Sequence, residues 1–144
     1  MIVVALLTGF DHTHSQMLDC PTQPTGSRII ERTENYLMSN SDNPIAIETI
    51  AEIAGVSVRS LQRTFRRVRG LTPMRLLKNI RLDKARSRLS KGDTTTSVTQ
   101  VAMNSGFSHL GAVGVDYRKR FGEAPSETLL RSQRQMEIQR SVRR

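Results

Sequence analysis

From Ser27 onward the apolar positions of this chain recur every three to four residues, the spacing that lines one face of a helix. Ile29, Ile30, Thr33, Tyr36 and Leu37 mark a first helix, capped by Ser27 and ended by the polar run Ser39 to Pro44. A short helix through Ile47, Ile50, Ala51 and Ala54 stops at Gly55. Ser57 then caps a third, VRSLQRTFRRVR, which stops at Gly70. Two helices joined by a short glycine-containing turn fit a helix-turn-helix. Thr72 and Pro73 open a long segment, PMRLLKNIRLDKARSRLS, with Leu77, Ile80 or Arg81, the Lys84 stem and Leu89 as inward candidates and Gly92 as its close. At about 1.5 Å per residue it spans roughly 25 Å and can act as a rigid strut.

Beyond the strut the pattern returns. Ile50, Ala51, Gly55 and Ser57 recur after fifty-one residues as Val101, Ala102, Gly106 and Ser108, whereas Phe65, Gly70 and Pro73 recur after fifty-two as Tyr117, Gly122 and Pro125. The shift predicts a one-residue insertion inside the second copy of the third helix. An internal repeat of this kind implies two helix-turn-helix units in one chain, the second capped by Ser108. A last helix starts near Pro125 and frays into an arginine-rich end. The expected fold is all-α: two helix-turn-helix subdomains joined by a long linker helix, about seven helices in all.

The start of the chain differs in kind. MIVVALLTGF is apolar but too short for a membrane span and lacks the positive flank of a signal peptide. DHTHSQMLDCPTQPTGS follows with a linker's composition. Residues 1–27 are therefore a leader, either disordered or the remnant of an upstream domain, and 28–144 the helical part. That part divides into a first unit (28–72), a linker helix (73–91), a second unit (92–131) and a basic tail (132–144).

Charge follows the same division. Residues 1–27 hold no Lys or Arg and two acids, so the formal +9 of the chain becomes +11 over residues 28–144. Between Arg59 and Lys91 twelve cations face one acid, Asp83. Such a field attracts a polyanion, with nucleic acid the usual one; a solvated basic face is the alternative. The lone Cys20 excludes an internal disulfide framework and a multi-cysteine zinc site, and suits a reducing, cytoplasmic interior, where a nucleic-acid partner would make the protein nucleoid-associated. No cofactor or metal is expected.

With these residues in place, the chain resembles the DNA-binding module of the AraC/XylS transcription regulators over residues 28–131. The resemblance is carried by IAEIAGVSVRSLQRTFRRVRGLTP, the strut motif RLDKARSRL, and VAMNSGFSHLGAVGVDYRKRFGEAP, in that order and spacing. It implies two recognition helices entering successive major grooves on one DNA face. A ligand-sensing and dimerising domain usually sits beside such a module; none is expected in this chain, and with it no small-molecule ligand and no dimer. A monomer on an asymmetric DNA site follows, with RNA polymerase as an open second partner and activation as the commoner outcome in the family.

Arg59, Gln62 and Arg63 lie three and four apart near the amino end of the first unit's third helix, where such helices meet base edges. Arg can fork to guanine and Gln to adenine, and the resemblance places all three at base-facing positions. Arg66, Arg67 and Arg69 continue as phosphate neutralisers, with Arg118, Lys119 and Arg120 in the matching place. Ser57 and Ser108 put backbone N–H groups where phosphate can bind. In the second unit the resemblance implies that His109, Leu110, Gly111, Ala112, Gly114 and Val115 stand at the groove-facing positions. The family commonly has a polar residue near Ala112 and a larger apolar one at Val113, so His109 is the one polar base-contact candidate left.

Enzymatic function finds little support: Asp11, His12, His14, Asp19 and Cys20 cluster only in the linker, without a scaffold to fix them. A shortened regulator relic acting through protein contacts or non-specific DNA binding is the main rival. RNA binding lacks the aromatic stacking platform it needs, with four Phe and two Tyr mostly at core-like positions.

Overall fold

The computed structural model describes residues 25–144, which form seven α-helices and no strand. In chain order these are α1 (Gly26–Asn40), α2 (Ile47–Ala54), α3 (Val58–Arg69), α4 (Pro73–Leu89), α5 (Val98–Asn104), α6 (Leu110–Phe121) and α7 (Pro125–Val142). The apolar start and the Asp11 to Cys20 cluster lie outside the described residues.

Several helix boundaries follow local chemistry visible in the sequence. Ser57 Oγ accepts a hydrogen bond from the Ser60 amide and Thr72 Oγ1 from the Arg75 amide, each at 3.2 Å, occupying donors that the helix itself leaves free. Gly55, Gly70 and Gly122 take left-handed conformations at the carboxyl ends of α2, α3 and α6.

Several expected boundaries move, among them the end of α7, which stays helical to Val142 through the arginine-rich stretch expected to fray. α1 begins at Gly26 with Thr25 as its N-cap, so Ser27 lies within the first turn. A Cβ on Gly26 would make only an ordinary contact with Arg67 Nη2, at 3.4 Å, so packing does not require the glycine there. α4 ends at Leu89, before Gly92. A Cβ on Gly92 would lie 2.5 Å from Leu129 Cδ1, so this glycine admits α7 rather than ending α4. There Ser132 Oγ donates to the carbonyls of Ser90 and Gly92 at 2.9 and 3.0 Å.

Two apolar cores form, and α4 belongs to both. Its Leu77 and Ile80 pack with Ile29, Leu37, Ile50, Leu61 and Phe65 of α1 to α3. Its Leu82, Ala85 and Leu89 pack with Val101, Ala102, Val113, Tyr117 and Leu129 of α5 to α7. At about 100° per residue these two sets point to different sides of one helix, so α4 is apolar along two stripes. Leu82 and Ala85, which a search for a single stripe overlooks, are the second unit's share.

The units meet across a polar junction. Arg81, half-buried on α4, donates from Nε to the Ser41 carbonyl at 2.7 Å and from Nη2 to the Asn43 carbonyl at 2.8 Å. Desolvation lowers its pKa from the ordinary value, and nearby Asp42 opposes that shift. Two further cations on the same side of α4 reach the same loop. Lys84 Nζ lies 3.6 Å from an Asp42 oxygen. Arg88 spans both units, with Nη2 3.3 Å from Asp42 and Nη1 donating to the Asn104 carbonyl at 2.6 Å and to Ser105 Oγ at 2.9 Å.

Gly106, just after α5, seals this junction at φ +92°. A Cβ there would press into the Ser41 carbonyl and sit 2.7 Å from Arg81 Nε. Gly122 also has a positive φ but open space around it. In urea unfolding, Gly106→Ala is therefore expected to lose at least about 2 kcal/mol, against about 1 kcal/mol for Gly122→Ala. Equal losses would show that the backbone angle alone, and not the junction, requires a glycine at 106.

Candidate nucleic-acid interface

Burial sorts the residues of α3 into two faces. Leu61, Thr64 and Phe65 are buried, which leaves Arg59, Arg63, Arg66 and Arg67 exposed and Gln62 half-buried. Arg59, Gln62 and Arg63 thus share an outward edge near the capped amino end, with Arg66 and Arg67 one turn further on. None of these four arginines forms an ion pair among the described residues. Arg69 does: its Nη2 meets a Glu34 carboxylate oxygen at 2.7 Å and so turns toward α1.

The second unit repeats this frame with different side chains. Val113 and Tyr117 are buried, while Gly111, Ala112, Gly114 and Val115 are exposed, Val115 to 57%. The buried pairs Leu61/Val113 and Phe65/Tyr117 both stand fifty-two residues apart, as do the N-caps Ser57 and His109. The extra residue therefore lies in the turn between Gly106 and His109, ahead of α6 and not within it.

This register corrects two expectations. Ser108 is not the cap of α6; it precedes the N-cap His109, whose side chain makes no capping hydrogen bond. His109 is exposed and matches Ser57 in position rather than a base-facing residue of α3. The counterparts of Arg59, Gln62 and Arg63 are instead Gly111, Gly114 and Val115, and those of Arg66 and Arg67 are Arg118 and Lys119. A shallow depression of about 550 Å³ lies over this face, lined by Gly111, Gly114, Val115, Arg118, Lys119 and Ala124. Its middle is bare backbone and methyl groups, and its edge is cationic.

Arg118 and Lys119 are exposed and without an ion pair among the described residues, whereas Arg120 is taken up internally. Its guanidinium forks onto Asp83 of α4 at 2.9 and 2.8 Å and lies 5.6 Å from the centre of the Phe121 ring. Arg86 stands over the same ring at 4.6 Å, and Tyr117 meets it edge-on. The buried Tyr117 hydroxyl is 2.9 Å from Thr128 Oγ1. Desolvation raises its pKa, which the Thr128 hydrogen bond and the charges of Arg86 and Arg131 partly offset.

The basic field is thus smaller on the surface than in the sequence. Of the twelve cations from Arg59 to Lys91, Arg69, Lys78, Lys84 and Arg88 meet carboxylates and Arg81 meets carbonyls. The sequence carried a sign of this in the spacing of Arg81, Lys84 and Arg88, one helical stripe flanking Leu77 and Ile80. Among the described residues no group of acids, histidines or cysteines could hold a metal ion, and no helix is long and apolar enough to cross a membrane.

Comparison with known proteins places this geometry. A family model described as a helix-turn-helix domain matches residues 50–131. The chain is 40% identical over 105 residues to XylDLEGF operon transcriptional activator 2 of Pseudomonas putida, covering 72% of this chain and 67% of that protein. It is 37% identical over 129 residues to the probable thc operon regulatory protein of Rhodococcus erythropolis, 89% of this chain but only 39% of the relative's length. A crystal structure of a probable AraC family transcriptional regulator from Rhodopseudomonas palustris superposes with a TM-score of 0.70 at 43% identity, over 73% of this chain and 97% of the other. The DNA-binding domain of AdpA, solved in complex with a target DNA, superposes with a TM-score of 0.61 at 26% identity, over 71% and 89% of the two chains.

A Cβ added at Gly111 or Gly114 would meet nothing within 4 Å. Neither glycine is required by packing, and each weakens an exposed helix. Gly111→Ala and Gly114→Ala should each stabilise the protein by about 1 kcal/mol in urea unfolding. A loss of stability in either variant would mean that α6 is not helical at that position in solution.

Proposed function

The chain belongs to the AraC/XylS family of helix-turn-helix transcription regulators, and from that premise we propose that it is a sequence-specific DNA-binding regulator in which the two heads divide the work. α3 reads base edges through Arg59, Gln62 and Arg63. α6 grips the phosphate backbone through Arg118 and Lys119 and contributes little direct readout. The observation that carries this division is the register of the two helices: where α3 presents two arginines and a glutamine, α6 presents Gly111, Gly114 and Val115.

Hydrogen-bonded readout requires side-chain donors and acceptors, and each good bidentate contact contributes about 1 to 3 kcal/mol of base discrimination. Glycine has none to offer, and Val115 can touch only thymine methyls. Arg118 and Lys119 neutralise phosphates whatever the sequence. Arg66 and Arg67 do the same beside α3, and the Ser57 end of that helix offers backbone N–H groups to a phosphate. Arg69, held by Glu34, and His109 and Ser108, which precede α6, are secondary contacts in this scheme.

Because both heads sit in one chain, a single copy suffices to occupy an asymmetric site. Activation is the proposed outcome, in keeping with relatives named as activators, and RNA polymerase is the proposed partner for that step. No catalytic step is part of the proposal.

The test is selection of bound duplexes from a random library, with Arg63→Ala and Arg118→Ala alongside. Arg63→Ala should relax base preference at one position of the enriched block. Arg118→Ala should weaken binding to all duplexes alike and reduce the slope of log K against log salt by about 1. A changed sequence preference in Arg118→Ala would overturn the division of labour. Salt-sensitive binding without any enrichment would favour a regulator relic that holds DNA without reading it.

A further inference from the structure

A cleft of about 440 Å³ opens between α4 and α6, lined chiefly by Arg75, Lys78, Asn79, Asp116, Lys119 and Arg120. We propose that this cleft is a phosphodiester site: it takes a phosphate of the DNA backbone next to the groove that α6 occupies, and Arg75 and Lys119 close on it from the two helices. The inference rests on the DNA-binding function proposed above and adds to it a contact from the strut.

Charge in the cleft is divided in a way that suits an anion. Lys78 Nζ is held by Asp116 at 3.1 Å, and Arg120 is held by Asp83. These pairs tie α4 to α6 and fix the walls. Arg75 and Lys119 have no ion pair among the described residues, so the cleft keeps two uncommitted cations. The Asn79 amide adds neutral donors beside them.

Position distinguishes a backbone phosphate from other anions. Lys119 lines both this cleft and the depression over α6, so the face that carries Gly111, Val115 and Arg118 runs directly into it. A strand whose phosphates pass Arg118 and Lys119 can place a neighbouring one in the cleft. Arg75 stands in the first turn of α4, immediately after the turn that ends α3. A phosphate contact here needs no side-chain readout from α6, which is what a helix bearing Gly111 and Gly114 lacks.

The experiment uses the full chain and duplexes of the selected sequence. Single neutral methylphosphonate linkages are scanned along both strands, with affinity measured by fluorescence anisotropy across a salt series. Arg75 is exposed and its side chain makes no hydrogen bond among the described residues, so Arg75→Gln should melt like the wild type. The wild type should lose affinity at one linkage flanking the α6 segment. Arg75→Gln should no longer respond to that substitution, and its salt slope should fall by about 1.

An unchanged slope and an unchanged linkage map in Arg75→Gln, with Arg118→Ala still reducing the slope, would overturn this inference and leave the α6 assignment standing. Competition by inorganic phosphate at matched ionic strength, lost in Arg75→Gln without any change in the linkage map, would assign the cleft to a free phosphate and overturn it as a DNA contact. Absence of salt-sensitive DNA binding in the wild type would overturn both proposals.

Discussion

The arrangement of this molecule depends on one guanidinium. Arg81 sits half-buried where the two units touch, and a charged group that cannot release its proton must find acceptors for its donors when water is withdrawn. The acceptors are backbone carbonyls of the loop after α1, Ser41 and Asn43. A carbonyl has no rotamers to exchange, so the loop is held at a set distance from the strut. The turn at Gly106 then fits against the same carbonyl and guanidinium. Together with the two apolar stripes of α4, these directional polar contacts set how one head is placed against the other, while each head draws its cohesion from its own core.

What could be read from the sequence follows from whether the signal was local. Ser57, Thr72 and Pro73 shape the backbone within one turn, and the structure uses them as expected. Leu61, Phe65 and Tyr117 repeat at fixed spacing, so the apolar halves of α3 and α6 were legible as well. Gly92 misled because it answers to a distant neighbour, Leu129, and resembles an ordinary helix end when only adjacent residues are considered. Leu82 and Ala85 were overlooked for a related reason: a helix with two apolar stripes has a blurred periodicity.

The candidate surface was legible in part. Arg59, Gln62, Arg63, Arg66 and Arg67 stand outward as their spacing implied. The inserted residue of the second unit could not be located from the repeated Gly and Ser alone, because Gly106 lies ahead of the insertion and Ser108 within the turn that holds it. The fifty-two-residue spacing of Phe65 and Tyr117 was legible, but carrying it back to the start of the helix takes the buried pair Leu61 and Val113 and the N-caps Ser57 and His109, and burial is a tertiary property. His109 and Ser108 gained apparent importance from that ambiguity. The cations of α4 likewise look alike in a charge count, although Arg81, Lys84 and Arg88 serve the junction and Arg75 faces solvent.

The division of α4 lengthwise between two cores has a thermodynamic corollary. Melting either head strips one stripe of this helix of its cover and loosens the frame that supports the other, so the heads share much of their unfolding free energy. Any ligand that binds the native state of one head alone then stabilises both by mass action. Occupancy of α3 would therefore help hold α6 helical, offsetting part of what Gly111 and Gly114 cost it. The strut, in that sense, passes affinity gained at one head to the other as order.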